Sequence, residues 1–391
     1  MNFPNINDKE ILRIALPAIA ANITVPLLGL VDVAITGHLG NAAYIGAIAV
    51  GSMIFNVVYW VFGFLRMGTS GMASQAYGRG DTAEALNLLA RGLCAGLAVA
   101  GAVLVLQRPL LTLALTVIGA NADLLPLVNT YFDICVWGAP AMLCLYALTG
   151  WFIGMQDTRV TMTASIVQNI VNIVASLTLV YGFGMKIEGV ATGTLIAQYA
   201  GLLTALAFFV ARFGSKIRLI DIREVVRSEA LLRFFNVNRN IFIRTLFIVA
   251  VNLFFVSAGA THGTMTLAVN TLLMQLFTLF SYVMDGFANA GEALCGKYTG
   301  ADDRGAFFAT VKRLFAWGAA LTVAYTAVYA LGGSAFLALL TDDSQVLHAA
   351  GEYLPWAIAI PAAGVAAFVW DGVFIGTTDT RGMLVSSAVS A

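Results

Sequence analysis

The octapeptide FIGMQDTR (residues 152–159) returns as FIGTTDTR at 374–381, with six of eight residues identical at an offset of 222. Two looser echoes accompany it. YGRGDTAEA (77–85) is answered by YTGADDRGA (298–306) at an offset of 221, and Tyr131 with Pro140 by Tyr353 with Pro361. Three echoes in one order at nearly one spacing read as an internal duplication. The material between them is lipid-soluble. The chain is 60% hydrophobic and 11% charged, with a mean hydropathy of +0.86, where a soluble domain carries roughly a quarter charged residues. Apolar stretches of about 20 residues recur throughout, each long enough to cross a bilayer as a helix. The fold class is an all-α polytopic membrane protein.

Helices are expected near 11–36, 43–73, 86–107, 128–153, 160–182, 189–211, 232–258, 264–295, 310–333 and 350–375, with an eleventh after Arg381. Eighteen of the 21 Lys and Arg then fall in alternate connections or their flanks, eight of them from Arg212 to Arg244. Only Arg108 and Lys186 fall on the other side, and Arg66 lies within a span. The positive-inside rule makes the majority side cytoplasmic, with the N-terminus inside. The basic connection divides the chain into a six-helix N-terminal lobe (1–211), a linker (212–231) and a C-terminal lobe (232–391). Two such lobes in parallel pseudo-symmetry are a common transporter plan, with the substrate between the repeats. After Arg159 the first lobe has two further helices, whereas ten residues follow Arg381. The expectation is that about two helices of a twelve-helix arrangement are missing from this chain.

No P-loop, dinucleotide glycine fingerprint, H-E-x-x-H or elbow serine occurs, so no enzyme and no cofactor is expected. Cys94, Cys135, Cys144 and Cys295 lack metal spacing and read as small core residues. Transport would then be driven by an ion gradient.

Acids inside spans are costly and are functional candidates. From Ile14 to Leu65 the one charged residue is Asp32, in the outer half of the first helix, which also holds Pro17 and Pro26 as bending points. Asp32 is read as the coupling group, taking up and releasing a proton; the alternative is a structural acid held by hydroxyls. Ser165, Asn169, Asn172 and Ser176 form a polar stripe at helical spacing on the fifth helix, and Gln198 lies on the sixth. With Arg66 these are candidates for a cavity in the first lobe; interhelical hydrogen bonding is the plainer alternative. In the second lobe Asp285, Glu292 and Asp371 are candidate cavity acids. Glu292, near the cytoplasmic end, is expected to snorkel to water. Arg66 is expected either to pair with an acid or to snorkel.

VDVAITGHLGNAAYIGAIAVGSMIFN, FGFLRMGTSGMASQAYGRGD, WGAPAMLCLYALTGWFIGMQDTR and DGFANAGEALCGKYTG together resemble the MATE family (multidrug and toxic compound extrusion), in its prokaryotic DinF-like branch. The resemblance implies twelve helices in two lobes and secondary antiport. Protons, or Na⁺, would enter as organic cations or amphipathic toxins leave. It places the branch's coupling acid on Asp32 and its asparagines on Asn169 and Asn172. Where the branch often has a second acid, this chain has Ser176, which disfavours a two-carboxylate Na⁺ site. The NorM-like branch uses an acid on the seventh helix, and 245–258 contains none.

The expected protein is a proton-coupled, monomeric exporter in the bacterial inner membrane, with small-molecule substrates and lipid as partners and no nucleic acid. A flippase for lipid or lipid-linked substrates is the runner-up, disfavoured because Arg66 is the one basic residue expected within the spans.

Overall fold

The computed structural model describes residues 8–37, 42–119 and 121–390; the side chains of 25–30, 32, 33, 42, 256, 257, 260, 261 and 264 are outside that description. The sequence-derived sites Asp32 and Pro26 are therefore placed by backbone alone. The helices are α1 (Asp8–Gly37), α2 (Ala42–Val61), α3 (Phe64–Gly78), α4 (Thr82–Val105), α5 (Gln107–Ile118), α6 (Leu125–Cys135), α7 (Ala139–Gly154), α8 (Thr158–Leu177), α9 (Ile187–Phe213), α10 (Ile222–Val225), α11 (Ser228–Thr261), α12 (Thr264–Gly300), α13 (Arg304–Leu340), α14 (Ser344–Thr377) and α15 (Thr380–Ser390). Among the described residues there is no strand, and nine helical segments are long and apolar enough to cross a membrane.

Two expected helices are broken. The one expected over 43–73 divides at Phe62–Gly63, where Leu65 N and Arg66 N bond the carbonyls three residues back, a tighter turn than an α-helix makes. The one over 128–153 passes through a 3₁₀ turn at Val136–Gly138. Pro140 has no N–H for the Val136 carbonyl, so the regular ladder cannot run through.

The duplication is written into the backbone. Left-handed turn residues recur 222 apart, at Gly80 (φ 73) and Asp302 (φ 53), and at Gln156 (φ 66) and Thr378 (φ 56). Asp81 and Asp303 each cap the following helix, accepting from Glu84 N and Ala306 N. Gly150 sits against the Arg66 carbonyl, and Gly372, 222 residues on, against the Ala288 carbonyl. The packing of α3 on α7 is thus copied in that of α12 on α14. These pairs set the register at 222, one residue from the 221 read off the tyrosine echo.

The two groups of helices meet where α1 and α3 pack on α12, with α11 and α14 also touching α3. The contacts there are reciprocal. Gly78 lies against the Lys297 carbonyl, and Gly300 against the Gln75 carbonyl, each residue facing the repeat mate of its partner's neighbour. Gln75 Nε2 donates to Gly376 O at 3.0 Å and to Thr378 Oγ1 at 3.1 Å. Gln156 Nε2 donates to Ala293 O at 2.7 Å. Small residues allow this backbone approach, which drives helix association in lipid. Gly78→Val would force a branched side chain onto the Lys297 backbone. Overpacking of this kind costs about 1–3 kcal/mol, so a lowered thermal midpoint in detergent is expected; an unchanged midpoint would show that the seam is loose.

The packed interior is apolar and aromatic. Trp151 is fully buried among Phe152, Phe209 and Phe213, with its Nε1 donating to Ala85 O at 2.7 Å. Ile11, Ile14 and Ala15 of α1 enter a second cluster with Phe280, Met284 and Leu314. No disulfide joins the four cysteines; Cys94 is exposed and the others are buried.

Candidate substrate and cation site

Helices α1 and α8 lie side by side and run the same way. Thr158 Oγ1 bonds Ile14 O at 2.9 Å, Asn169 Nδ2 bonds Thr24 O at 3.0 Å, and Tyr181 Oη bonds Ile35 O at 3.5 Å. The three bonds, the last from the turn just after α8, advance almost equally along both helices and set their register. By that register Ser176 is level with residues 30 and 31, so the backbone of Asp32 stands just beyond the upper end of the polar stripe. Asn172 Nδ2 donates to Thr194 Oγ1 of α9 at 3.1 Å. Asn172 Oδ1 and Ser176 Oγ are buried without a hydrogen-bond partner, Ser176 lying against Gly193. Ser165 is half-buried lower on α8, and Pro17 is half-buried in α1. Gln198 departs from expectation. It is buried beside Gly138 and Tyr59, in the packed interior rather than on the stripe.

The second group of polar residues forms one cluster where α3, α11, α12 and α14 meet. Arg66 does not serve the first lobe's stripe. Its Nη1 reaches across to Asn289 Oδ1 at 3.1 Å and Glu292 Oε2 at 3.5 Å. The expectation that Glu292 snorkels is overturned: it is 1% exposed and sits beside Ser70. At the register of 222, Ser70 is its repeat mate, so Glu292 stands where the two halves face each other. Arg244, which the sequence places in the basic connection, is also corrected. It lies within the apolar span Ser228–Phe255 and pairs with Asp371 of α14. The 16 steps from Ser228 to Arg244 carry it about 24 Å along α11. Asp285 and Glu292, two turns apart on α12, share a face. Asp285 lies deep among the helices within reach of the charges on Arg66, Asp371, Glu292 and Arg244, yet its side chain is exposed. It therefore lines an open cleft between helices.

Among the described residues no three of His, Cys, Asp and Glu gather as a metal-binding group. The candidate residues thus form two sets. Asn169, Asn172 and Ser176 lie along the helix that packs beside the one carrying Asp32. Arg66, Asp285, Glu292 and Asp371 lie at the junction, where Arg244 and Asn289 join them. Arg244 was legible only as one more arginine in a basic stretch; the apolar run that follows it from Thr245 to Val256 was the signal that it is inside a span.

A sequence model of the MatE family matches residues 17–178 and 241–391. The chain is 35% identical to the DNA damage-inducible protein F of Escherichia coli over all of its own length and 85% of that protein's. It is 20% identical to the multidrug export protein MepA of Staphylococcus aureus over 96% of this chain and 83% of that one. In fold it resembles the Vibrio cholerae MATE transporter VcmN, solved as a point mutant, with a TM-score of 0.86 at 18% identity over 97% of this chain and 86% of that one. The duplicated helical bundle, the family match and the similarity along the whole chain agree: this multi-pass membrane protein belongs to the MATE family, whose members are transporters and not enzymes.

Proposed function

We propose that the protein is a secondary antiporter that exports organic cations or amphipathic toxins from the bacterial cytoplasm in exchange for protons. The similarity to a multidrug export protein supports the substrate class. The observation that carries the coupling is the α1–α8 register, which sets the backbone of Asp32 beside a stripe with two buried, unpartnered oxygens, on Asn172 and Ser176. When Asp32 is charged, the neighbouring amides donate to it and an organic cation balances it. When it takes a proton, that balance is lost and the cation leaves outward. Pro26 leaves the Asn22 carbonyl without a backbone donor, so α1 can bend as these contacts change. The two states of the helices must differ in affinity for both proton and cation, or no coupling follows. Lobes 1–211 and 232–391 would move against each other about the 212–231 connection, with the N-terminus inside and one chain as the working unit. Na⁺ in place of H⁺ is the variant reading. The flippase reading loses ground, since Arg66 and Arg244 are both neutralised by acids.

The test is dye efflux from vesicles holding the purified protein, under an imposed pH gradient and then a Na⁺ gradient. Efflux driven by pH alone supports proton antiport. Efflux that needs Na⁺ moves the cation to Asp285, Glu292 or Asp371, and no efflux under either gradient refutes the exporter.

A further inference from the structure

Among the described residues the junction holds two arginines and three carboxylates, and they are unevenly paired. Arg66 is taken by Glu292 and Asn289, and Arg244 by Asp371. Among the described residues Asp285 has no ion pair, and it is the acid that faces the cleft. The cluster is left with one net negative charge. We propose that Arg244 is a specificity-determining residue: by holding Asp371 as a built-in counter-cation, it leaves Asp285 as the one free carboxylate among the described residues of the cleft and so selects substrates with one positive charge over those with two. The inference rests on the reading of the protein as a cation exporter, and takes Asp285 as a second carboxylate that the substrate meets on its route besides Asp32.

The physical reason is the cost of an unmatched charge away from water. A monocation on Asp285 is balanced. The second charge of a dication would find Asp371 and Glu292 occupied and two guanidinium groups close by, and like charges at short range in low dielectric repel strongly. Arg244 is fixed to α11, whose neighbours Ile241 and Thr245 are buried, so a passing substrate does not simply displace it.

The experiment measures binding of ethidium, with one permanent charge, and propidium, with two, to the full chain in nanodiscs. The natural protein is expected to prefer ethidium. Arg244→Gln frees Asp371, and the preference should swing toward propidium by on the order of tenfold. Arg244→Gln combined with Asp371→Asn removes both charges together, and the preference should swing back. Asp285→Asn should weaken ethidium binding at least as much. An unchanged ratio in Arg244→Gln overturns the proposal. So does a double variant that behaves like Arg244→Gln, since the pair would then act through shape. Should Arg244→Gln fail to fold, Asp371→Asn leaves Arg244 uncompensated and cancels the net charge; ethidium binding must then fall, and unchanged binding overturns the proposal. Failure of the natural protein to bind either dye removes the exporter reading as well, whereas ethidium binding without any swing removes this inference alone.

Discussion

Asp32→Asn is expected to abolish pH-driven export while leaving the protein folded and in the membrane. The size of the effect follows from charge. Exchange of one proton for one monovalent organic cation moves no net charge, so membrane potential contributes nothing and the pH difference is the whole drive. Each pH unit supplies about 1.4 kcal/mol per proton, a tenfold substrate gradient. With asparagine at 32 no proton is carried, and that gradient should collapse to equality. The fold should survive because the amide keeps the shape of the acid and its hydrogen-bonding capacity, and because α1 is anchored elsewhere. Ile11 and Ile14 are buried, and its backbone receives Thr158 and Asn169 of α8. The measurement is dye accumulation against imposed pH steps, with potential clamped and then varied. Export that persists in Asp32→Asn, or that scales with potential in the natural protein, would refute single-proton coupling at this residue.

How much of this was legible in the sequence depends on the length scale of the feature. Membrane class, helix count to within breaks, and the duplication are properties of long segments, and hydropathy with the two FIG-x-x-DTR octamers reports them well. The octamers succeed because they mark a turn whose geometry is demanding. Gln156 and Thr378 both adopt positive φ, rare for residues with a side chain, and each is followed directly by an Asp. The breaks at Phe62–Gly63 and Val136–Gly138 were missed because an apolar run looks the same whether its ladder is continuous or not. The polar stripe on α8 was found, since helical spacing is local. The junction cluster was not. Asp285 and Glu292 were recognised as candidate cavity acids, but the charges around them come from α3, more than 200 residues away, and from α11 and α14. Pairing across such distances leaves no periodic trace. Arg244 shows the cost: sorted by hydropathy it belonged to the connection, and only the fold put it opposite Asp371.

The second large effect is a stability difference between two halves of one ion pair. Removing Arg66 should be far worse than removing Glu292. Glu292 is 1% exposed, and its charge is matched by Arg66. Arg66→Gln strands a buried carboxylate, and breaking a buried pair in this way costs about 3–5 kcal/mol. The side chain of Arg66 is 26% exposed and also donates to Asn289 Oδ1. Glu292→Gln therefore leaves a guanidinium with both water and a hydrogen-bond acceptor, and about 1 kcal/mol is the expected loss. Removing both partners should cost less than Arg66→Gln alone, because no charge is stranded. That ordering is the signature of a desolvated acid rather than of a strong bond. Thermal midpoints of the three variants in one detergent would show it. Equal losses for the two single variants would mean that water reaches Glu292 through the cleft lined by Asp285. If the ordering holds, the contact across the junction fixes which helices may part. While α3 and α12 stay together Glu292 is compensated, and any motion that separates them must either carry Arg66 along or bring a proton to the acid.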